Sequence, residues 1–228
     1  MKIGIIAAMR KELDLLLHLV KEVNEETIDG TTYYSGTISN HQVTMMQCGI
    51  GKVNAALGAI AMLNNYSLEL VINSGVAGGA DKSVNVMDVV VGETVAYHDI
   101  WCGPGTEYGV ASGYPKFFEA PAEIVALATD GDNPQIRKGL ICSGDQFIAS
   151  IEEVNHIKGN FPAALAVDME SASIAQTCHM RDVPFFSIRV ISDSPGANHD
   201  NAAQYENFWE IAQNQTFSII EELLNKLK

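Results

Sequence analysis

The sequence predicts an α/β fold: a single-domain, three-layer α/β/α arrangement around a central mixed β-sheet. Three observations carry the prediction. Short apolar runs alternate with helical patterns along the chain, as strands and the helices that cover them require. Two consecutive strand patterns, 31–38 and 42–47, are separated only by Ser39-Asn40-His41, a hairpin spacing that makes the sheet mixed rather than wholly parallel. No linker, internal repeat or low-complexity segment interrupts the 228 residues, so 1–228 reads as one domain.

Each element has its own signal. Residues 2–8 are an apolar run and read as a strand. Residues 11–23 put Leu13, Leu16, Leu17 and Val20 on one helical face. After the hairpin, 53–63 is an alanine-rich helix. Residues 68–73 are a strand leading into Gly75-Val76-Ala77-Gly78-Gly79, which reads as a glycine turn, and 88–97 is a valine-rich strand. The stretch 99–121, punctuated by Gly103, Pro104, Gly105, Gly109, Gly113 and Pro115, reads as a loop of a length that is usually functional or disordered. A short helix at 124–129, a strand at 136–142 and a helix at 151–158 follow. A strand at 163–167, a small-residue helix at 170–180 and a buried strand at 184–191 come next. One last helix, 205–227, carries Phe208, Ile211, Phe217, Ile220, Leu223 and Leu224.

Three carboxylates stand at the ends of apolar strands in this reading. Glu12 follows the first run, Glu170 sits where a strand turns into a helix, and Asp193 closes the run 184–191. The rim at strand C-terminal ends is where α/β enzymes keep their chemistry. Three acids there suggest a site that handles protons and sugar hydroxyls. Each acid alone also fits a helix first turn or a cap.

Composition narrows the classes. With 28 acidic against 14 basic residues the net charge is −14. Clustered Lys and Arg for phosphate contacts are lacking, so no nucleic acid is expected as partner, nor an anionic membrane surface. The four cysteines Cys48, Cys102, Cys142 and Cys178 have no CxxC spacing and fit a reducing compartment, here the cytoplasm. The first apolar run is too short for a signal peptide and is followed at once by Arg10-Lys11-Glu12, and no run reaches the length of a membrane span.

Several motifs fail on inspection. Gly51-Lys52 lacks a glycine at 46, which is Met, and a hydroxyl residue at 53, which is Val, so it is no Walker loop. The glycines 75–79 are spaced GxxGG, not GxGxxG, which disfavours a dinucleotide site. There is no HExxH spacing among the histidines and no GxSxG elbow. Neither a metal nor a cofactor is expected.

Seven segments in register do form a pattern. They are Met1-Lys-Ile-Gly-Ile-Ile-Ala-Ala-Met-Arg-Lys-Glu12, Cys48-Gly-Ile-Gly-Lys-Val-Asn-Ala-Ala56, Asn73-Ser-Gly-Val-Ala-Gly-Gly79, Tyr97-His-Asp99, Ser143-Gly-Asp-Gln-Phe-Ile148, Val167-Asp-Met-Glu170 and Arg189-Val-Ile-Ser-Asp193. Together they resemble the 5′-methylthioadenosine/S-adenosylhomocysteine nucleosidases of the purine nucleoside phosphorylase-like superfamily. The resemblance implies a nucleoside phosphorylase-like fold and hydrolysis of an N-glycosidic bond, with an adenine nucleoside as the small-molecule partner. It implies Asp193 as general acid to adenine N7 and Glu12 as the base for water. Glu170 would grip the ribose hydroxyls beside Met169, and Arg189 would lie near the water. Phe147 and Ile148 would hold the purine, and Gly78 would approach the substrate. Met9 and Tyr205 would line the thioether end. The resemblance also implies a homodimer, in which the loop carrying Trp101 contributes to the contact and reaches toward the neighbour's site, so that Trp101 would line the 5′-alkylthio pocket or be buried at the interface.

The residues leave rivals open. A phosphorylase would need arginines and a hydroxyl for phosphate. This chain has four arginines, and Val76 stands where many members of the family have Ser. Hydrolysis is therefore expected over phosphorolysis. A nucleosidase for another adenosine derivative, such as aminofutalosine, would share the same residues. A silent nucleoside-binding module would be expected to lack one of the three acids.

Overall fold

The computed structural model describes residues 1–195, 201–211 and 217–227. Ten strands form one mixed sheet. It begins with β1 (Lys2–Ala7), whose Ile3 and Ile5 enter one core while Ile6 enters the other. Burial on both faces explains why the strand is continuously apolar. β4 (His41–Gln47) and β5 (Leu70–Gly79) flank β1 in parallel. β4 is joined to β3 (Thr31–Ile38) through a hairpin with Ser39 at φ +53°, and β2 (Lys21–Ile28) forms the outer edge.

On its other side β5 pairs in parallel with β10 (Phe185–Asp193). Next come β6 (Val89–Tyr97), β8 (Ile136–Ser143) and β9 (Ala164–Asp168), with the two-residue β7 (Phe118–Glu119) on β6. β9 then returns to β5, pairing Gly78 with Val167 and Gly79 with Ala166. Five strands therefore close into a ring. Gly78 is register partner of both Asp193 and Val167, which brings the ends of β10 and β9 to one point.

Helices cover both faces. α2 (Lys52–Asn65) packs on α5 (Ser171–His179), their small residues Ala55, Ala59, Ala172 and Ala175 sharing a core with Ile6. α1 (Arg10–Leu17), α3 (Ala122–Ala128) and α7 (Ser218–Lys226) cover the opposite face through Leu13, Leu16, Ile124, Ile220 and Leu223. α4 (Ile151–Asn160) starts at Ser150, whose hydroxyl accepts from the Glu153 N–H while Glu153 reaches back to the Ser150 N–H, a capping box. α6 (Asn201–Ile211) lies against β10. Among the described residues no helix is long and apolar enough to cross a membrane.

Four expectations need correction. The helix expected over 11–23 ends at Leu17, because Leu19 and Val20 bond back three residues in a tight turn. Val20 is still buried, so the helical spacing runs on through the turn. Residues 21–28 are a strand instead, exposed along nearly its whole length at the sheet edge, and therefore without burial periodicity. The glycines 75–79 are not a turn but the end of β5, with no positive φ among them. The single last helix is two, α6 and α7, with 212–216 outside the described residues.

Candidate active site

Asp193 is the last residue of β10, held at the ring junction beside Gly78. Glycine at 78 fits the crowding, since a Cβ there would come 3.2 Å from both Val167 and Pro195. Asp193 is buried. Ser192 Oγ donates to its Oδ1 at 2.7 Å and Asn201 Nδ2 to its Oδ2 at 3.2 Å. Asn201 Nδ2 also lies 3.2 Å from the carbonyl oxygen of Ile148, so α6 ties the acid to the 146–148 strap. Burial pushes the Asp193 carboxyl above the usual carboxylate range, and the two donors pull it back in part.

Glu12 occupies the third position of α1, where its Oε2 accepts from the Ala8 and Met9 N–H groups at 3.0 and 2.8 Å. That satisfies donors at the start of the helix which otherwise lack partners. Its Oε1 accepts from the Val76 N–H at 2.9 Å, across β5. Burial raises this carboxyl too, against the pull of Arg189 and the three backbone donors. A Cβ at Gly75 would collide with both Oε1 of Glu12 and Nη1 of Arg189, so the two charged groups approach each other over a bare glycine.

Arg189 is fully enclosed. Its Nη2 pairs with Asp168 Oδ2 at 2.6 Å, lies 3.7 Å from Glu170 Oε2 and donates to Asn73 Oδ1 and Ser171 Oγ. Its Nη1 has no hydrogen-bond partner among the described residues. Asp168 also accepts from Ser143 and Ser171, and Ser171 Oγ lies 2.7 Å from Ser187 Oγ. A buried guanidinium needs this set of partners, because an unpaired buried charge costs several kcal/mol.

Glu170 stands at the N-cap position of α5 without its side chain capping the helix, and its Oε1 accepts from the Gly51 N–H at 3.0 Å. Burial pushes its carboxyl up to about 7, with Arg189 opposing and Asp168 adding to the rise. The three acids line one cavity of about 120 Å³ together with Met9, Val76, Gly78, Phe147, Ile148, Met169 and Tyr205. Phe147 and Tyr205 meet edge to face at 5.8 Å, and the Tyr205 hydroxyl sits 3.2 Å from Met9 Sδ. The lining is mainly apolar with a few convergent polar groups, the usual character of a small-molecule site.

Of the residues singled out from the sequence, Glu12, Asp193, Glu170, Gly78, Phe147, Ile148, Met169, Met9 and Tyr205 all border this cavity. Arg189 stands behind it, against Asp168 and Glu170. Trp101 lies outside it and is exposed in the single chain. Sequence reasoning passed over Asp168, Asn73, Ser143, Ser171, Ser187 and Asn201. The available signal was Asp168 two residues before Glu170; the short polar residues read equally well as caps.

A family model described as the phosphorylase superfamily matches residues 2–225. Among solved structures, the 5′-methylthioadenosine/S-adenosylhomocysteine nucleosidase of S. pneumoniae with the transition-state inhibitor MT-ImmA is 34% identical, with 100% of each chain covered and a TM-score of 0.94. The corresponding nucleosidase of Neisseria meningitidis in complex with methylthio-immucillin-A is 32% identical over 99% of each chain, with a TM-score of 0.91. Futalosine hydrolase of Helicobacter pylori is 29% identical over 99% of this chain and 98% of its own, with a TM-score of 0.90. With this match across the whole length, and the acids gathered at the ring junction, the chain belongs to the 5′-methylthioadenosine/S-adenosylhomocysteine nucleosidases of the phosphorylase superfamily.

Proposed function

We propose that this protein hydrolyses the N-glycosidic bond of 5′-methylthioadenosine and S-adenosylhomocysteine, releasing adenine and the 5-thioribose sugar. The observation that carries the reading is the buried carboxylates Glu12, Glu170 and Asp193 on the wall of one cavity, with Asp168, paired to Arg189, as a fourth. Bond breaking passes through an oxocarbenium-like ribose while negative charge builds on the purine. Asp193, whose burial favours the protonated form, donates to adenine N7. Glu12 takes a proton from the attacking water, and its raised position brings it nearer the working pH of a general base. Arg189, across Gly75 from Glu12, offsets the charge of that carboxylate from behind the cavity. Glu170 accepts the two ribose hydroxyls and offsets the developing positive charge. Met169 packs beside the sugar. Phe147 stacks on the base and the Ile148 backbone reads its edge, while Met9 and Tyr205 border the thioether. Acid and base on opposite faces, with room for water between, is the division of labour of inverting glycoside hydrolysis.

Water rather than phosphate fits this pocket. Val76 brings no hydroxyl, and its N–H is already taken by Glu12. Arg189 is matched by Asp168 and Glu170, Arg10 pairs with Asp14, and neither Arg137 nor Arg181 lines the cavity. A dianion would face the Glu12 carboxylate in a poorly solvated space. Adenine release should therefore need no phosphate. Mass spectrometry of products formed from methylthioadenosine in phosphate buffer checks this: free 5-methylthioribose is expected, and a sugar 1-phosphate would promote the phosphorylase reading. Aminofutalosine belongs in the same assay, since the same residues would read its adenine and ribose. The reading includes a homodimer, supported by the exposed apolar side chains Val53 and Leu57 of α2 and Trp101; mass in solution by light scattering tests it.

A further inference from the structure

Three of the sequence motifs each contribute a charged residue that the mechanism leaves unused: Lys52, Asp99 and Asp145. None of them lines the cavity, yet they meet. Lys52 Nζ pairs with Asp99 Oδ2 at 2.7 Å and lies 3.9 Å from Asp145 Oδ2. The Asp145 N–H donates to the same Asp99 oxygen at 2.9 Å. The Lys52 N–H donates to Asp145 Oδ1 at 2.7 Å, and the preceding N–H, that of Gly51, donates to Glu170 Oε1 at 3.0 Å. Two successive peptide groups thus face two carboxylates, one inside the site and one outside it. Gly51 holds this turn at φ +94°, where a side chain would be strained and its Cβ would press on Asp145 at 3.1 Å. Asp145 in turn begins the strap Gln146-Phe147-Ile148 that walls the cavity.

We propose that Lys52, Asp99 and Asp145 form a clasp that sets the spacing between the ribose carboxylate Glu170 and the purine wall 146–148, with Asp99 and Asp145 as positioning residues. The inference rests on the nucleosidase reading, which gives ribose to Glu170 and adenine to the strap. A nucleoside is gripped at both ends, so the distance between the grips decides how well the scissile bond is presented. Small displacements of such supports are costly in rate. A surface ion pair of ordinary kind does not have this effect. Partly exposed pairs add little to global stability, and removing one leaves substrate affinity alone.

The test is steady-state kinetics with methylthioadenosine, with Tm measured on the same proteins. Asp99→Ala is expected to raise KM on the order of ten-fold, with a smaller fall in kcat. Its Tm should stay within about 3 °C of native. Asp99→Asn keeps an oxygen that can accept from the Asp145 N–H and should recover part of the loss. In the double variant Asp99→Ala/Asp145→Ala, KM should rise no further than in the worse single variant, because members of one unit couple. An unchanged KM in Asp99→Ala, or fully additive effects in the double variant, overturns the clasp. Should Asp99→Ala fail to fold, Lys52→Met carries the same expectation and Asp99→Asn a smaller rise in KM, and unchanged KM in both overturns it. A native protein that releases no adenine overturns the nucleosidase reading and this inference together. Native turnover with indifferent variants overturns the clasp alone.

Discussion

At the scale of single residues, burial does most of the chemical preparation. Burial raises the Asp193 carboxyl and so favours its protonated form, and replacing the carboxyl while preserving its shape should remove the reaction and little else. Asp193→Asn is expected to lose at least ~10²-fold in kcat with the fold retained, the amide having no proton to give at N7. Activity within a few-fold of native would remove Asp193 from the mechanism. In the proposed mechanism Glu170 works in the opposite sense, since it must be ionised to accept two hydroxyls. It lies at about 7, above its ordinary value, because of burial. The population able to bind ribose therefore shrinks as pH falls through that value, and kcat/KM should decline below pH 7 rather than near 4.5. An acidic limb close to 4.5 would show that Glu170 does not control binding. These acids were legible because charged groups at the ends of apolar runs stand out. Asp168, Asn73, Ser171 and Ser187 were not, because their role depends on neighbours as far as 116 positions away, as for Asn73 and Arg189.

Elements show where local pattern misleads. Lys21–Ile28 forms a strand with hardly a buried side chain, its backbone paired on one side only, so no hydropathy signal could reveal it. Its abundance of Glu instead protects an open edge against pairing with another chain. In β5 the glycines signalled a turn, yet the chain continues as a strand to Gly79. Gly75 leaves room for Glu12 from α1 and Arg189 from β10, whereas Gly78 leaves room for Val167 and Pro195. Gly75→Ala should consequently abolish most turnover, since the added methyl group takes the space between base and guanidinium. We expect a kcat loss of about 10²-fold or more from displacement of these groups, measured beside Tm to separate it from unfolding. A fully active Gly75→Ala protein would place the attacking water elsewhere. β1, β8 and β10 were recovered close to their observed bounds because they are apolar runs with much of their length buried, while the two-residue β7 inside the stretch expected to be a loop was missed.

For the whole molecule, charge and closure matter most. A net charge of −14 makes the folded chain repel itself. Raising salt from about 0.01 to 0.15 M shortens the screening length several-fold and should raise Tm; a Tm that falls would mean that screened ion pairs outweigh the repulsion. Closure has a different effect. The sheet is sealed where β9 comes back to β5 at Gly78 and Gly79, and Asp193 and Val167 meet at that seam. A strand in a sealed ring cannot slip by one residue without tearing the joint, so misregistered but nearly complete states have nowhere to persist. The site cannot exist in part either: until the seam shuts, the acid and the purine strap belong to separate pieces of chain. In refolding, catalytic activity should return with the last sheet contacts made and lag behind the bulk recovery of secondary structure.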